Sequence, residues 1–357
     1  MKEGKYTCDI CHEEHDLSEL TYFDESYLCE DCLRRETFIC RDCGDRHWND
    51  DSADGDLCQT CYDEDYVRCE RCDAVIHYDD ACYHEDEEYH DHPYCRDCFD
   101  MDEIIHDYYY KPEPIFYGDG PRYLGVELEL DDGGENEFCA SKLLEIANNG
   151  CERMYIKHDG SLDDGFECVT HPMTLDYHIN QMPWRAILNK AVAKGYLSHQ
   201  AGTCGLHVHI SRNALGANYE EQEATIAKIL YFYEKFWNEI LTFSRRTESQ
   251  AEHWARRYGG GIINPKETLK HAKNSHMGRY AAVNLENEAT IEMRIFRGTL
   301  RYKTFMATLQ FVDLLCEMAI NLTDEEFQTM TWKEFAETVS ADKAELKEYL
   351  KIRGLEE

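Results

Sequence analysis

The sequence predicts an α+β domain built on a largely antiparallel sheet, preceded by three small modules held together through cysteines. Three observations carry this. Six Cys-x-x-Cys pairs repeat along the first third of the chain. Beyond it, short segments alternate apolar and polar residues, the mark of strands with one buried face. Separate longer segments repeat their apolar residues at three and four, the mark of core-packed helices.

The pairs are Cys8/Cys11, Cys29/Cys32, Cys40/Cys43, Cys58/Cys61, Cys69/Cys72 and Cys95/Cys98. Taken two at a time they enclose 17, 14 and 22 residues, and the first pairs recur after 32 and 29 residues, an internal repeat. An aromatic or apolar residue precedes most pairs (Tyr6, Leu28, Ile39, Leu57, Val67, Tyr94) and is expected to shield the sulfurs. Paired thiolates on tight turns suit tetrahedral zinc at about 2.3 Å, and one Zn²⁺ per repeat is the simplest count. Such small units bury little apolar surface, so metal binding supplies much of their folding free energy. Spacing leaves open a cross-braced arrangement in which Cys29, Cys32, Cys40 and Cys43 share one metal. It also leaves open Cys82, His84, His90 or His92 as a substitute ligand in the third unit. A redox role for one pair is the alternative, but six near-identical pairs read as scaffolding. The expected task of these modules, residues 1–102, is to hold a partner or substrate protein.

Charge narrows the partners. The 357 residues, enough for two or three domains, carry a net −35, of which −24 falls in residues 1–111. Such a surface repels phosphate backbones, so nucleic-acid binding is not expected despite the cysteine motifs. Met1-Lys2-Glu3-Gly4 leads into polar residues, and no apolar run is long enough to span a bilayer. The expected location is cytoplasmic, where the eighteen cysteines are metal ligands rather than a disulfide framework.

Residues 103–121 read as a linker, punctuated by Pro112, Pro114, Gly118, Gly120 and Pro121, with Tyr108–Tyr110 free to dock on a neighbour. Residues 122–322 hold the second domain. Its expected order is strand (Tyr123–Leu130), helix (Glu137–Asn148), strands near Met154–Lys157 and Phe166–Thr170, and helix (Met182–Lys194). Strand (Gly205–Ser211), long helix (Tyr219–Ser244), strands (Tyr280–Leu285, Thr290–Arg297) and helix (Lys303–Ile320) follow. The stripe Ile226, Ile229, Tyr233, Phe236, Ile240, Phe243 is a core stripe. Residues 323–357 read as a helical appendage with Thr323 as a helix N-cap.

Three of the strands, GVELEL (Gly125–Leu130), GLHVHI (Gly205–Ile210) and TIEMRIF (Thr290–Phe296), put Glu127 and Glu129, His207 and His209, and Glu292 and Arg294 on their polar faces. Any one pair fits a solvated face. Three pairs in one domain read as the floor of an active site. Between the first two strands, Asp159-Gly160 marks a turn, with Asp159 and Ser161 at its tip, and Glu167 lies on a strand-like segment. Glu127, Glu129, Glu167 and Glu292 form an oxygen-rich set suited to Mg²⁺ or Mn²⁺, and the added imidazoles tilt toward Mn²⁺ or Zn²⁺.

From Arg122 to about Thr299 the order of motifs resembles the amidoligases, a branch of the glutamine synthetase and glutamate–cysteine ligase group of carboxylate–amine ligases. The motifs are GVELEL, DGSL followed by E-x-V-T-x-P (Asp159–Leu162, Glu167–Pro172), CGLHVHI, RYAAVNL (Arg279–Leu285) and TIEMRIFRGT. The resemblance implies a glutamine-synthetase-like curved sheet whose concave face binds ATP and two divalent ions. It implies an acyl phosphate made from a carboxylate and attacked by an amine to give an amide. By resemblance, Glu127, Glu129, Glu167 and Glu292 hold the ions, and His207 or His209 completes a site or contacts the nucleotide. Arg294 meets the transferred phosphate, with Arg297, Arg279 and Asp159 as further catalytic candidates. Arg245, in the Ser244-Arg245-Arg246 turn, and Asn284 contact nucleotide or substrate. The cysteine-rich region lies outside the resemblance, and Cys168 stands where the family usually has a branched apolar residue.

No phosphate-binding G-x-x-x-x-G-K-[ST] loop occurs. Gly259–Gly261 reads as a flexible loop, and Cys204, lacking a base, as a small packed residue. The leading expectation is an ATP-dependent ligase whose zinc modules select an amino-acid, peptide or protein substrate, with an amine as co-substrate. A metal-dependent hydrolase on the same face and a non-enzymatic zinc-module adaptor are the alternatives.

Overall fold

Val126, Leu128 and Leu130 alternate with Glu127 and Glu129, so Leu124–Leu130 is extended with one apolar edge and one charged edge. The computed structural model, which describes residues 5–83, 92–99, 103–259 and 264–356, builds its main sheet around this strand. The strands are β1 (Ile105–His106), β2 (Leu124–Leu130), β3 (Met154–Lys157), β4 (Phe166–Thr170), β5 (Leu206–Ser211), β6 (Val283–Asn284) and β7 (Thr290–Met293). They lie side by side as β1-β3-β4-β2-β5-β7-β6. Only β1 and β3 run parallel; every other neighbouring pair is antiparallel. The expected α+β class with a largely antiparallel sheet therefore stands.

Register decides what each face carries. Leu128 lies opposite Cys168 and Leu206, and Val208 lies opposite Val126 and Met293, so one face is apolar throughout. That face is buried in a single core with Trp184, Ile229, Phe232, Phe305 and Phe311 from the helices. The helix Tyr302–Asn321 is buried along most of its length and packs against Tyr219–Lys235 and Ala344–Arg353.

Contacts divide the chain into two compact units, Met1–Asp102 and Glu103–Glu357. Two stretches of the second unit differ from expectation. Residues 103–121 are more than a linker, because β1 pairs with β3 and Tyr117 bridges to Met173. The stretch 323–357 is no appendage: Phe327, Trp332, Phe335 and Leu346 are buried in the main core. Thr323 does cap its first helix, accepting the Glu326 N–H in a capping box. The helix expected over Tyr219–Ser244 breaks at Phe236 into Tyr219–Lys235 and Trp237–Ser244. Backbone bonds Phe236-to-Phe232 and Ile240-to-Phe236 cross the break, so the apolar stripe stays buried. Helices Leu175–Asn180, Glu248–Trp254 and Pro265–Asn274 are additional.

In the first unit each repeat is built from short antiparallel hairpins and a short helix. The first Cys-x-x-Cys of a repeat sits in a hairpin turn, and the second starts the helix: Cys29 and Cys58 are the N-cap residues of Glu30–Glu36 and Gln59–Asp65. Trp48 joins the first two repeats, its ring 5.2 Å from that of Phe23 and its Nε1 donating to Asp24 at 2.6 Å. Among the described residues no helix is long and apolar enough to cross a membrane. His84, His90, Gly260 and Gly261 lie outside the described residues.

Candidate active site

The second sheet face gathers the charged residues. Register sets Glu127 opposite His207, Gly125 opposite His209, His209 opposite Glu292, and Glu292 opposite Asn284. On the other side Glu129 lies opposite Glu167, and Glu167 opposite Lys157. These side chains floor a cavity of about 290 Å³ that is walled by Asp159, Ser161, Thr203 and Arg246 and by Tyr108, Arg279 and Trp254.

Glu127 sits between the imidazoles, 3.3 Å from His207 Nδ1 and 3.1 Å from His209 Nε2. Glu292 lies 3.6 Å from His207 Nδ1, accepts from Asn284 Nδ2 at 2.8 Å and pairs with Arg294. Burial works against charge on Glu127 and Glu292, but His209 and its neighbours outweigh it, and both carboxyls are held below the usual range, Glu127 well below. Glu129 and Glu167 behave oppositely. Burial pushes both up; for Glu129 the His207 ring and the Gly205 N–H oppose without cancelling. For Glu167 the charge of Glu127 adds to burial, and Lys157, 3.1 Å away, does not offset them.

The donor set has the chemistry and spacing of a cation site. Glu127, His207 and Glu292 bring one ligand atom each within 4.8 Å of one another. Glu129 and Glu167 are two crowded carboxyls whose nearest positive groups, His207 at 3.6 Å and Lys157 at 3.1 Å, do not offset burial, and Asp159 adds to the field on both. Oxygen-rich ligands with one imidazole fit Mg²⁺ or Mn²⁺ chemistry. One donor fits an anion beside them: Arg294 Nε is buried without a hydrogen-bond partner. An orphaned buried donor costs about 1–3 kcal/mol, which a bound phosphate or carboxylate would recover.

The arginines separate. Arg279 reaches the cavity beside Tyr108, to which it hydrogen-bonds. Arg245 and Arg297 do not line it. Arg245 is the left-handed C-cap of Trp237–Ser244 (φ 66°), and its guanidinium donates to the carbonyls of Arg297 at 2.5 Å and Gly298 at 2.9 Å. Arg297 donates to the His199 carbonyl at 2.5 Å. The next residue, Arg246, lines the cavity instead; burial draws its guanidinium down to about 10 against the pull of Glu129. Sequence reading pointed to the Ser244-Arg245-Arg246 turn but took Arg245 from it, and it did not single out Lys157. Lys157 had one available signal, an alternate position beside Ile156 on a predicted strand.

Asp131 holds the walls. Fully buried, it accepts N–H bonds from Asp132, Asp163 and Asp164 at 3.0, 3.2 and 2.7 Å and the Thr203 hydroxyl at 2.5 Å. It thereby ties the Asp159–Asp164 turn to the segment entering β5. The Gly205 N–H in that segment donates to Glu129.

In the first unit the cysteines group sequentially as Cys8, Cys11, Cys29, Cys32; Cys40, Cys43, Cys58, Cys61; and Cys69, Cys72, Cys95, Cys98. The cross-braced alternative is thereby excluded, and Cys82 and His92 stand outside the tetrads. A tetrahedron with metal–sulfur bonds of about 2.3 Å has edges of about 3.8 Å. Cys11 and Cys29 are 3.9 Å apart, and Cys72 and Cys95 are 3.8 Å apart. Burial pushes the Cys8 and Cys40 thiols up, yet backbone N–H groups from the opposite pair and their own turn bring each down to about 6. The tetrads are preformed for a thiophilic ion.

Residues 150–316 match the family model described as "putative amidoligase enzyme", so the resemblance seen in the motifs is shown over that stretch. The match takes in Glu167, His207, His209, Glu292 and Arg294; Glu127 and Glu129 precede it and join the same face through β2. No curated protein matches the chain. Among solved structures, a bifunctional glutathione synthetase from Pasteurella multocida is similar at 12% identity with a TM-score of 0.34. The similarity covers 66% of this chain, which spans only 44% of that one.

Proposed function

We propose that the second unit is an ATP- and divalent-metal-dependent carboxylate–amine ligase, forming an amide through an acyl phosphate. The observation that carries this is the composition of one sheet face: four glutamates, two histidines and Arg294 floor one cavity, with Glu129 and Glu167 directly opposed. The family match over residues 150–316 supports the reaction class.

Phosphoryl transfer asks a protein for positioning and charge neutralisation more than for covalent help. Glu127, Glu292 and His207 would hold one Mg²⁺ or Mn²⁺, and Glu129 and Glu167 with Asp159 a second. Bound there, the ions would screen the phosphates from these carboxylates. Arg294, aimed by its pairing with Glu292, contacts the transferred phosphoryl group, and Arg246 and Arg279 add positive charge from the walls. His209 and Asn284 orient the nucleotide or acid, and Asp131 keeps the Asp159 turn in place. Arg245 and Arg297 serve as braces for the 297–298 backbone. The three cysteine tetrads would each bind structural Zn²⁺, and the modules would present a peptide or protein substrate.

Hydroxylamine trapping tests the reaction. Protein, ATP, Mn²⁺ and a panel of amino acids and glutamyl peptides should yield a hydroxamate and phosphate for at least one acid, and none with Arg294→Ala. Metal-dependent hydrolysis of peptides with no nucleotide requirement would contradict the ligase reading.

A further inference from the structure

A second cavity of about 870 Å³ adjoins the first within the same unit. The two share Glu286 and Asn287, in the turn between β6 and β7. Asn287 turns its side chain to Glu292 at 3.4 Å, while its carbonyl accepts from Arg212 Nε at 3.2 Å in the second cavity. At about 290 Å³ the first cavity is at the lower end for small-molecule sites, roughly 300–1,000 Å³. That is small for a site that would take triphosphate, cations and two organic substrates together.

The lining of the second cavity states what it accepts. Ile226, Tyr258 and Leu269 give a buried apolar wall, suited to methylene groups. Its cations are already engaged. Arg212 donates to the carbonyls of Leu285, Asn287 and Thr290, and Lys273 pairs with Glu223. Glu286 and Glu288 are exposed and have no ion-pair partner among the described residues. Unspent charge in the groove is therefore negative, and one of its two sources stands at the junction with the first cavity.

We infer that this second cavity is the amine-substrate cleft, taking a primary ammonium on an extended aliphatic chain, as in a diamine or a lysine side chain. This deepens the ligase reading and rests on it for the word substrate, though the binding itself does not require nucleotide. Glu286 and Glu288 hold the ammonium by charge, and the apolar wall holds the chain. The acid partner then enters from the first cavity.

The test is calorimetry on the full-length, zinc-loaded protein without nucleotide, at physiological salt, with 1,5-diaminopentane and with glutarate. The expected result is saturable diamine binding that weakens at least ten-fold in Glu286→Gln/Glu288→Gln. A control pair outside the cleft, Glu325→Gln/Glu326→Gln on the helix Asp324–Thr329, should leave it unchanged. Equal weakening in both variants means diffuse attraction to an acidic surface and overturns the inference. Tighter binding of glutarate than of diamine also overturns it and makes the cleft the acid site. Failure of a nucleotide analogue to bind in a parallel titration would sink the ligase reading while leaving the diamine result to stand.

Discussion

Glu129 and Glu167 face each other across neighbouring antiparallel strands, both almost wholly buried, with burial raising the carboxyl of each. Like charges in that relation destabilise a sheet. The fold thus carries a repulsion that a divalent cation bound between them would relieve. Glu129→Gln keeps an oxygen for the Gly205 N–H and deletes one charge. Without divalent ions this variant should be more stable than the parent by about 1 kcal/mol. With Mn²⁺ at about a hundred times its dissociation constant the parent should gain about 2.7 kcal/mol, and the variant little. Denaturant melts with and without Mn²⁺ measure both; a variant less stable in each condition contradicts the account.

Arg294 and Arg297 lie three residues apart with different work. The Nε of each is unpartnered, but Arg294 lines the cavity, whereas Arg297 does not and its terminal nitrogen donates to the His199 carbonyl. Arg294→Ala should lower kcat for phosphate release about 10²–10³-fold with little loss of stability. Arg297→Ala should cost about 1–2 kcal/mol of stability and leave kcat within a few-fold. Steady-state kinetics beside thermal melts separates the two, and an equal loss of kcat in both contradicts the division.

Much of this face was legible because a strand has a period of two: Glu127 with Glu129, and His207 with His209, had to point the same way. What a local pattern could not say was how distant segments register. The Tyr108 wall depends on β1 pairing with β3 about fifty residues on, which nothing between Pro112 and Pro121 announces. The choice between Arg245 and Arg246 was not legible because both donate to backbone carbonyls, and only Arg246 also lines the cavity, Arg245 being the left-handed helix cap. Residues 323–357 looked marginal alone because their apolar residues are spaced for a surface that only the Tyr302–Asn321 helix provides.

Asp131 touches neither cavity wall as a lining residue, yet it receives four bonds that fix two of them. Asp131→Asn replaces an acceptor with a donor facing N–H groups. It should cost about 2–3 kcal/mol and lower metal affinity through the displaced Asp159 turn. Mn²⁺ titration of a sample shown to be folded tests this, unchanged affinity being the contrary result.

Each cysteine module has a core of a few apolar side chains around its tetrad, as with Leu28, Leu20 and Phe23 in the first. Chelation should therefore unfold the first unit and release three zinc ions per chain, the count of the tetrads. Metal analysis with far-ultraviolet dichroism checks it; retention of the module signal after complete zinc loss contradicts it.

His178 supplies a pH signature away from any proposed ligand. Trp184 Nε1 donates to its Nδ1 at 3.2 Å, so its Nε2 carries the proton given to the Leu124 carbonyl at 3.0 Å. Burial draws the ring down to about 4 from 6.5. Between those values the unfolded chain binds a proton that the folded chain refuses. Stability from this group is thus full above pH 6.5 and falls as pH drops toward 4, by up to about 3 kcal/mol. Nitrogen-15 chemical shifts should report a neutral Nε2–H ring still at pH 5, and titration near 6.5 would contradict the assignment.

The central claim is that the charged sheet face binds nucleotide through divalent cations. Calorimetry with a non-hydrolysable ATP analogue, with Mg²⁺ or Mn²⁺ and with neither, tests it on the zinc-loaded protein and on Glu129→Gln. The account predicts saturable binding that requires the divalent ion and is lost in the variant. Binding that is absent from the folded parent, or equally strong in the variant, would contradict it.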